Sequence, residues 1–328
     1  MALAQSQWSA SPSALDGLAA GAGRRAACVL VPAYNEAQNI APLLRRIAAD
    51  SACGSWAIDD IVVIASGCTD ETVARAEGVR AEGLPVRVIV QERREGKASA
   101  INAGLDAARH DVIVLVSGDV MPAPGAVSAL LSRLDDDTIG VVGARPVPLN
   151  DASTFTGYAA QLMWRLHHAI SEAAGDNPKC GEMIAFRRRA GDLAIVPAIP
   201  LESAVDEVSV QALVQAAGLR SAYAGEAIVR NWGPSTLRDW FKQRRRINNG
   251  HVLAAREGYR PSTMGAGAVL RALRRDQAAW RRPHWLVAVM AIEVAARLMG
   301  RVDAARGREH AIWSVAATTK RAIGEEVV

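Results

Sequence analysis

The side chains best equipped for chemistry fall in three places, separated by long apolar stretches. The first begins at Gly96-Lys97, a turn followed by Ala98, Ile101, Ala103, Leu105 and Ala108, small and apolar residues that suit a short helix lying on a sheet. The continuous apolar run Val112 to Val116 then reads as a strand covered on both faces, and it ends at Ser117-Gly118-Asp119. Ligands of open α/β sheets sit beyond the carboxyl ends of the strands. There Gly118 permits close backbone approach, and Asp119 is a hard oxygen ligand suited to Mg²⁺ or Mn²⁺. A cation, a lysine and a helix amino end brought together would make a diphosphate site. The second place is Asp206-Glu207, two acids opening a helix, where the helix dipole alone is enough to account for them. The third is Gln243 and Arg246, three apart and therefore on one helical face. The planar fork of an arginine there suits a diphosphate leaving group or an acceptor phosphate.

These groups need a frame, and the apolar pattern supplies one. Strands are expected at Ala27–Val31, Asp60–Ser66, Val86–Gln91, Val112–Val116 and Val141–Val147. The first should stop before Pro32, because proline cannot continue a central strand. Ile40, Leu43, Leu44 and Ile47 have helical spacing, and Thr69 or Asp70 caps a further helix after Gly67. The alternation of strand and helix predicts a doubly wound α/β domain. There is no G-x-G-x-x-G turn, so a nicotinamide-binding Rossmann domain lacks its phosphate loop. Residues 150–175 read as an amphipathic helix carrying His167 and His168, which as neighbours face different sides and do not chelate one metal. No repeat of fixed period is present.

At 328 residues, half of them hydrophobic and 22% charged, the chain has ample length for a globular core. Its cysteines, Cys28, Cys53, Cys68 and Cys180, form no C-x-x-C pair and no metal spacing, which fits a reduced, cytoplasmic protein. Net charge is +4, but residues 238–282 are dense in arginine and nearly free of acids. Such a stretch suits phosphates or an anionic membrane surface; it lacks the aromatic interleaving of a nucleic-acid stacking platform, so no nucleic-acid partner is expected. Arg244 and Arg245 point away from Gln243 and Arg246 and are expected at solvent or membrane. Trp285 to Met299 is apolar but broken by Glu293 and Arg297, too short for a span of roughly 20 apolar residues. It reads as a buried or interfacial helix with basic flanks, leaving peripheral attachment at the inner membrane face open. Residues 1–24 read as a disordered lead, 25–250 as the main domain and 251–328 as a basic, apolar helical tail.

Gly96-Lys97…Asn102-Ala103-Gly104 followed by Ser117-Gly118-Asp119 resembles the glycosyltransferases of family 2, which have the GT-A fold. Val31-Pro32-Ala33-Tyr34-Asn35-Glu36 resembles that family's opening signature, and Gln243…Arg246-Ile247 its Q-x-x-R-W element, with Ile247 in place of Trp. The resemblance covers about residues 26 to 250. It implies a mixed or parallel sheet with a helical C-terminal extension, and inverting transfer of a sugar from a nucleotide diphosphate to an acceptor hydroxyl, lipid-linked or on a small metabolite. It further implies donor contacts from Pro32, Ala33, Tyr34, Glu36, Ser66, Asp70, Lys97, Asn102, Ser117, Gly118, Gly181 and Glu182. Asp119 would bind Mg²⁺ or Mn²⁺, Asp206 or Glu207 would be the general base, and Gln243 and Arg246 would face leaving group or acceptor. A UDP-sugar is the favoured donor, with GDP open. The chain departs from the family in three further places. Ser117 stands where the first acid of Asp-x-Asp belongs, Ala65 and Ser66 replace two acids of which one commonly reads the nucleotide base, and the Asp206-Glu207 order is reversed; Asp70 matches the family's later Asp in Thr-Asp-x-Thr and serves equally well as a helix cap. The alternative is a nucleotide-sugar binding protein without turnover. For the Trp313…Thr318-Thr319-Lys320 segment, similar to tails of family members, no chemical role is read.

Overall fold

In a computed structural model of the chain, residues 24–50, 55–175, 177–203, 205–256, 265–307 and 319–324 are described. The expected lead, Arg24 excepted, lies outside them, as do Cys53, Trp313 and Thr318. The first half alternates strand and helix: β1 (Arg25–Ala33), α1 (Ile40–Ala49), β2 (Trp56–Ser66), α2 (Thr72–Ala81), β3 (Val86–Gln91), α3 (Lys97–Ala107) and β4 (Val112–Val116). There follow β5 (Val120–Pro122), α4 (Ala126–Arg133), β6 (Ile139–Pro148), α5 (Phe155–Glu172), β7 (Met183–Arg187) and a small hairpin, β8 (Arg189–Ala190) with β9 (Leu193–Ala194). The chain continues through α6 (Asp206–Ala216), β10 (Arg220–Asn231), α7 (Leu237–Arg256), α8 (Ala266–Arg275), α9 (Gln277–Trp280) and α10 (Pro283–Ala305).

The main sheet has the order β3-β2-β1-β4-β7-β6-β10-β5. Its β3–β4 half is parallel, as right-handed crossovers through helices require, whereas β7 runs antiparallel between β4 and β6, and β5 antiparallel to β10. Apolar side chains of α1, α2 and α4 cover one face, and those of α3 and α6 the other. This is the mixed, doubly wound sheet expected. Gly104 lets α3 lie close: a Cβ there would come within 2.9 Å of Ile64 Cδ1 and 3.1 Å of Leu30 Cδ1.

The expected stop before Pro32 is corrected. β1 continues through Pro32 to Ala33, paired to β2. The carbonyl of Pro32 accepts from Gly118 N at 3.2 Å, so the missing N–H belongs to the β4 side. On that side the ladder already ends at Leu30, and proline forfeits no hydrogen bond.

A separate apolar cluster joins α5 to α8, α9 and α10, with Tyr158 Oη donating to Ala279 O at 2.7 Å. α7 runs to Arg256, and α10 packs along it. Gly300 sets their spacing, since a Cβ there would meet Asn249 N at 2.9 Å. Arg244 bonds Glu293 at 2.7 Å and Arg245 bonds Asp303 at 2.5 Å, which corrects the expectation that these arginines face solvent or membrane. α10 is thus turned inside out: its acids point inward to α7, while Val287, Met290, Val294, Leu298 and Val302 are exposed. Among the described residues no helix is long and apolar enough to cross a membrane.

Candidate active site

The carboxyl ends of β1, β2 and β4 open into a cavity of about 700 Å³, whose far wall is the 179–182 segment, the start of α6 and one face of α7. Pro32, Ala33, Tyr34, Glu36, Ser66, Lys97, Ser117, Gly118, Asp119, Gly181, Glu182, Asp206, Glu207, Gln243 and Arg246 all line it. Gly118 is tightly fitted. A Cβ on it would approach Glu36 Cγ to 2.9 Å, so a larger residue would push the loop that aims Asp119.

Lys97 is held at the amino end of α3 by Gly96, whose φ of 97° few other residues adopt. Its ammonium lies 2.9 Å from Asp206 Oδ2 and 3.7 Å from Glu207 Oε1. Burial works against this charge, but the two carboxylates outweigh it and raise the lysine pKa. Asp206 itself is almost fully enclosed, with Oδ1 lacking any hydrogen bond, and burial lifts its pKa despite Lys97. Glu207 goes the other way: burial opposes ionisation, yet Lys97, its own backbone amide, Lys179 and Arg246 hold the carboxyl below its usual range. The two acids therefore divide, one sequestered and one ionised toward the cavity.

Neither Asp119 nor Glu182 is in an ion pair among the described residues, and Asp119 accepts a hydrogen bond from its own backbone N–H. Burial raises the Asp119 pKa against the pull of Lys97, and burial with the nearby Asp119 and Glu207 charges pushes Glu182 up to about 7. Glu182 also has φ of 62°, rare for a residue with a Cβ and a mark of a position held for function. Two cavity-facing carboxylates without contacting cations suit a small divalent ion, which takes one or two protein carboxylates and completes its shell with water and substrate phosphates. No group of three or more metal-binding side chains occurs among the described residues, so oxygens from outside the protein would have to complete its shell.

At the β1 end of the cavity Arg94 stacks over the Tyr34 ring at 4.3 Å, and Ser66 Oγ accepts from Glu95 N at 3.3 Å. Lys320 reaches in from the C-terminal segment, donating to Tyr34 O at 2.5 Å and to the buried Glu36 carboxylate. Asn39 fixes this strap by donating to Arg321 O at 3.0 Å and accepting from Ile323 N at 2.9 Å. The resemblance marked the 318–320 segment but gave Lys320 no role, because no local pattern links it to a loop nearly three hundred residues earlier. Lys179, Arg94 and His251 also line the cavity and carried no sequence signal beyond their residue type.

Two expected donor contacts are corrected. Asn102 does not line the cavity. Its amide is spent on Ile199, donating to the carbonyl at 2.9 Å and accepting from the N–H at 2.8 Å, so it pins the loop before α6. Asp70 caps α2, accepting from Thr72 N at 3.0 Å, and takes Ala37 N at 3.1 Å; it lines a shallower neighbouring hollow instead. His167 faces the cavity while His168 bonds Tyr223 Oη at 3.1 Å, on separate sides as their adjacency requires.

A family model, Glycosyl transferase family 2, matches residues 28–192. The chain belongs to that family. Among its relatives, the dodecaprenyl-phosphate galacturonate synthase of Rhizobium johnstonii is 33% identical over 110 residues, 33% of this chain and 32% of that protein. The dolichol-phosphate mannosyltransferase of Mycosarcoma maydis is 30% identical over 145 residues, 43% of this chain and 47% of that one. The chain thus spans less than half the length of these relatives. Its fold is the GT-A fold of family 2. The mannosyltransferase PcManGT from Pyrobaculum calidifontis, solved with GDP-Man and Mn²⁺, superposes with a TM-score of 0.56 at 21% identity, over 91% of this chain and 87% of that one. The glucosyl-3-phosphoglycerate synthase of Mycobacterium tuberculosis, solved with Mn²⁺, UDP-Glc and phosphoglyceric acid, gives 0.50 at 20% identity, over 70% and 80%.

Proposed function

We propose that this family-2 protein is an inverting glycosyltransferase that moves a sugar from a nucleotide diphosphate, UDP- or GDP-linked, to an acceptor oxygen. The observation that carries the reading is one cavity shared by the β4 exit at Asp119, the lysine of α3, the acid pair of α6 and Arg246 of α7. Solved relatives in fold contain GDP-Man or UDP-Glc together with Mn²⁺.

The acceptor hydroxyl attacks the anomeric carbon from the side opposite the diphosphate, the bond from that carbon to the phosphate oxygen breaks, and the configuration inverts. Glu207 takes the hydroxyl proton, because its side chain is 19% exposed and ionised, whereas Asp206, 3% exposed, is engaged by Lys97. Asp206 is a positioning residue for that lysine. Lys97 and Arg246 stabilise the charge that develops on the leaving diphosphate. Asp119, with Glu182 supplying the carboxylate that Ser117 cannot, would hold Mg²⁺ or Mn²⁺. When bound, that ion supplies Lewis-acid neutralisation of the diphosphate. The β1 loop, with Tyr34 and Arg94, takes the nucleoside.

The exposed valine and leucine face of α10, rimmed by Arg281, Arg282, Arg297, Arg301 and Arg306, favours peripheral attachment to an acidic inner membrane leaflet. The test is turnover of a panel of UDP-, GDP- and dTDP-sugars with Mn²⁺, with the product anomer read by proton NMR. Inversion is expected, and Glu207→Gln should lower kcat by roughly 10²–10⁴-fold. Retention of configuration, or full activity in the variant, would refute this mechanism. Metal-dependent donor binding without product, across a broad acceptor panel, would leave the binding-protein alternative.

A further inference from the structure

Residues 319–323 link the β1 side of the cavity to the turn before α7. On the β1 side, Asn39 donates to Arg321 O at 3.0 Å and accepts from Ile323 N at 2.9 Å, and Ile323, 3% exposed, joins the apolar cluster that α1 covers. On the other side, Trp232 Nε1 donates to Ala322 O at 3.2 Å. The Arg321 guanidinium lies 5.3 Å from the Trp232 ring centroid and donates to Ser235 Oγ at 3.4 Å. Between these anchorages Lys320 turns into the cavity, donating to Tyr34 O at 2.5 Å and to the Glu36 carboxylate. The Glu36 side chain is 3% exposed and that of Lys320 21%.

The strap is fastened without this pair, by Ile323 in the core and by Asn39, Trp232 and Ser235. Stripping water from two charges offsets most of their attraction, so an apolar pair would fasten it about as well. What an ammonium adds is direction, because its several donors hold a carboxylate and a carbonyl of one loop at once. Glu36 is a junction in that loop. Its N–H donates to Thr72 Oγ1 at 2.8 Å, and its carbonyl accepts from Asn39 N and Ile40 N, both at 2.9 Å, at the start of α1. Its side chain also fills the space at Gly118, where a Cβ would lie 2.9 Å from Glu36 Cγ and 3.3 Å from Ala33 Cβ. Gly118 N donates to Pro32 O at 3.2 Å, and the next residue is Asp119. A shift of Glu36 therefore reaches Asp119 through one packed contact and one peptide.

We infer that Lys320 is a positioning residue: held against the β1 loop by the 319–323 strap, it fixes Glu36 and, through Glu36 packed on Gly118, the aim of Asp119. Its ammonium is engaged by Tyr34 and Glu36, and it acts on the site through them. The clasp belongs to the ligand-free protein; its effect on donor binding rests on the glycosyltransferase reading.

The test is amide hydrogen exchange of the full, ligand-free chain, comparing wild type with Lys320→Met, Lys320→Arg, Glu36→Gln and the double variant Glu36→Gln with Lys320→Met. Lys320→Met should speed exchange in residues 34–40 and 117–120 by about fivefold or more, with residues 155–172 of α5 unchanged as the internal control. Lys320→Arg, which keeps the cation, should stay within about twofold of wild type. Because the lysine acts through Glu36, the double variant should differ from Glu36→Gln by less than about twofold. Melting temperatures within a few degrees of wild type certify folding. Should Lys320→Met melt early, the double variant, which leaves neither charge of the pair behind, decides: its two loops should exchange about fivefold faster than wild type or more. Calorimetry with UDP- and GDP-sugars and Mn²⁺ adds the functional readout, an affinity lowered about fivefold or more in Lys320→Met and regained in Lys320→Arg. Unchanged exchange in Lys320→Met, or effects of the two substitutions that multiply in the double variant, would overturn the inference. So would Lys320→Met weakening donor binding as much in the Glu36→Gln background as alone, since the lysine would then meet the donor itself. Absence of donor binding by the wild type counts against the donor reading, and the exchange rates still decide the clasp.

Discussion

Glu182 combines a left-handed backbone, a cavity-facing carboxylate and a pKa pushed up to about 7. The physical causes are burial first, then the charges of Asp119 and Glu207. A folded-state pKa above the ordinary 4.5 means that the native protein holds the extra proton between those two values. Stability should therefore fall as pH rises from about 4.5 to about 7, and stay reduced above that. Glu182→Gln should flatten this slope and raise the melting temperature at pH 8 in metal-free buffer; thermal melts from pH 5 to 8 check it, and an unchanged slope would deny the strain. Of the site residues, Lys97 and Asp119 were legible because each flanks a strand or helix whose period announces it. Glu182 was legible as a donor contact implied by the resemblance, but not as a carboxylate beside Asp119, because its aim depends on a positive φ. Asn102 misled for a related reason: its spacing fits a ligand contact, but Ile199, distant in sequence, satisfies it first.

At the scale of elements, the α7–α10 pair depends on acids that a sequence reading assigned to neither core nor site. Burial opposes ionisation of Glu293, but Arg244, with Asn248 and Arg297, overrides it and brings the pKa to about 2. A depressed acid contributes stability above its ordinary value of 4.5, and loses it as pH falls toward 2. α10 should loosen from α7 across that window, visible as faster amide exchange in residues 283–305. Glu293→Gln, which leaves Arg244 without its counter-charge, should cost about 3–5 kcal/mol at pH 7 by urea unfolding. A loss below about 1 kcal/mol would place the pair among weak surface contacts. The parallel strands β1 to β4 were readable from apolar runs bounded by turns. β10 was not, because irregular pairing between Tyr223 and Ile228 breaks its alternation, and α4 was not, because Asp50 of a distant turn supplies its cap, accepting from Gly125 N at 2.9 Å.

Taken whole, the molecule has a net charge of +4 and concentrates cations beside the apolar outer face of α10. Each valine or leucine buried there would contribute at most about 1.5–3 kcal/mol, so several side chains plus charge attraction are needed for reversible docking. Co-sedimentation with vesicles should show binding to phosphatidylglycerol-rich membranes, little to phosphatidylcholine, and weakening with salt. Val294→Glu with Leu298→Glu should reduce it at least tenfold. Equal binding to neutral vesicles, or none to acidic ones, would contradict a membrane-facing helix. The sequence could suggest such a face from the broken apolar run, but not that its acids turn inward, which depends on where Arg244 and Arg245 come to lie.

The central claim is that a nucleotide-sugar diphosphate binds beside Asp119 with a divalent ion. Calorimetry of the full chain with UDP- and GDP-sugars, with and without Mn²⁺, tests it most directly. The predicted result is binding to at least one donor that requires Mn²⁺ and weakens at least tenfold in Asp119→Asn. Absence of binding to any donor, or an Asp119→Asn variant that binds as tightly as wild type, would contradict the account.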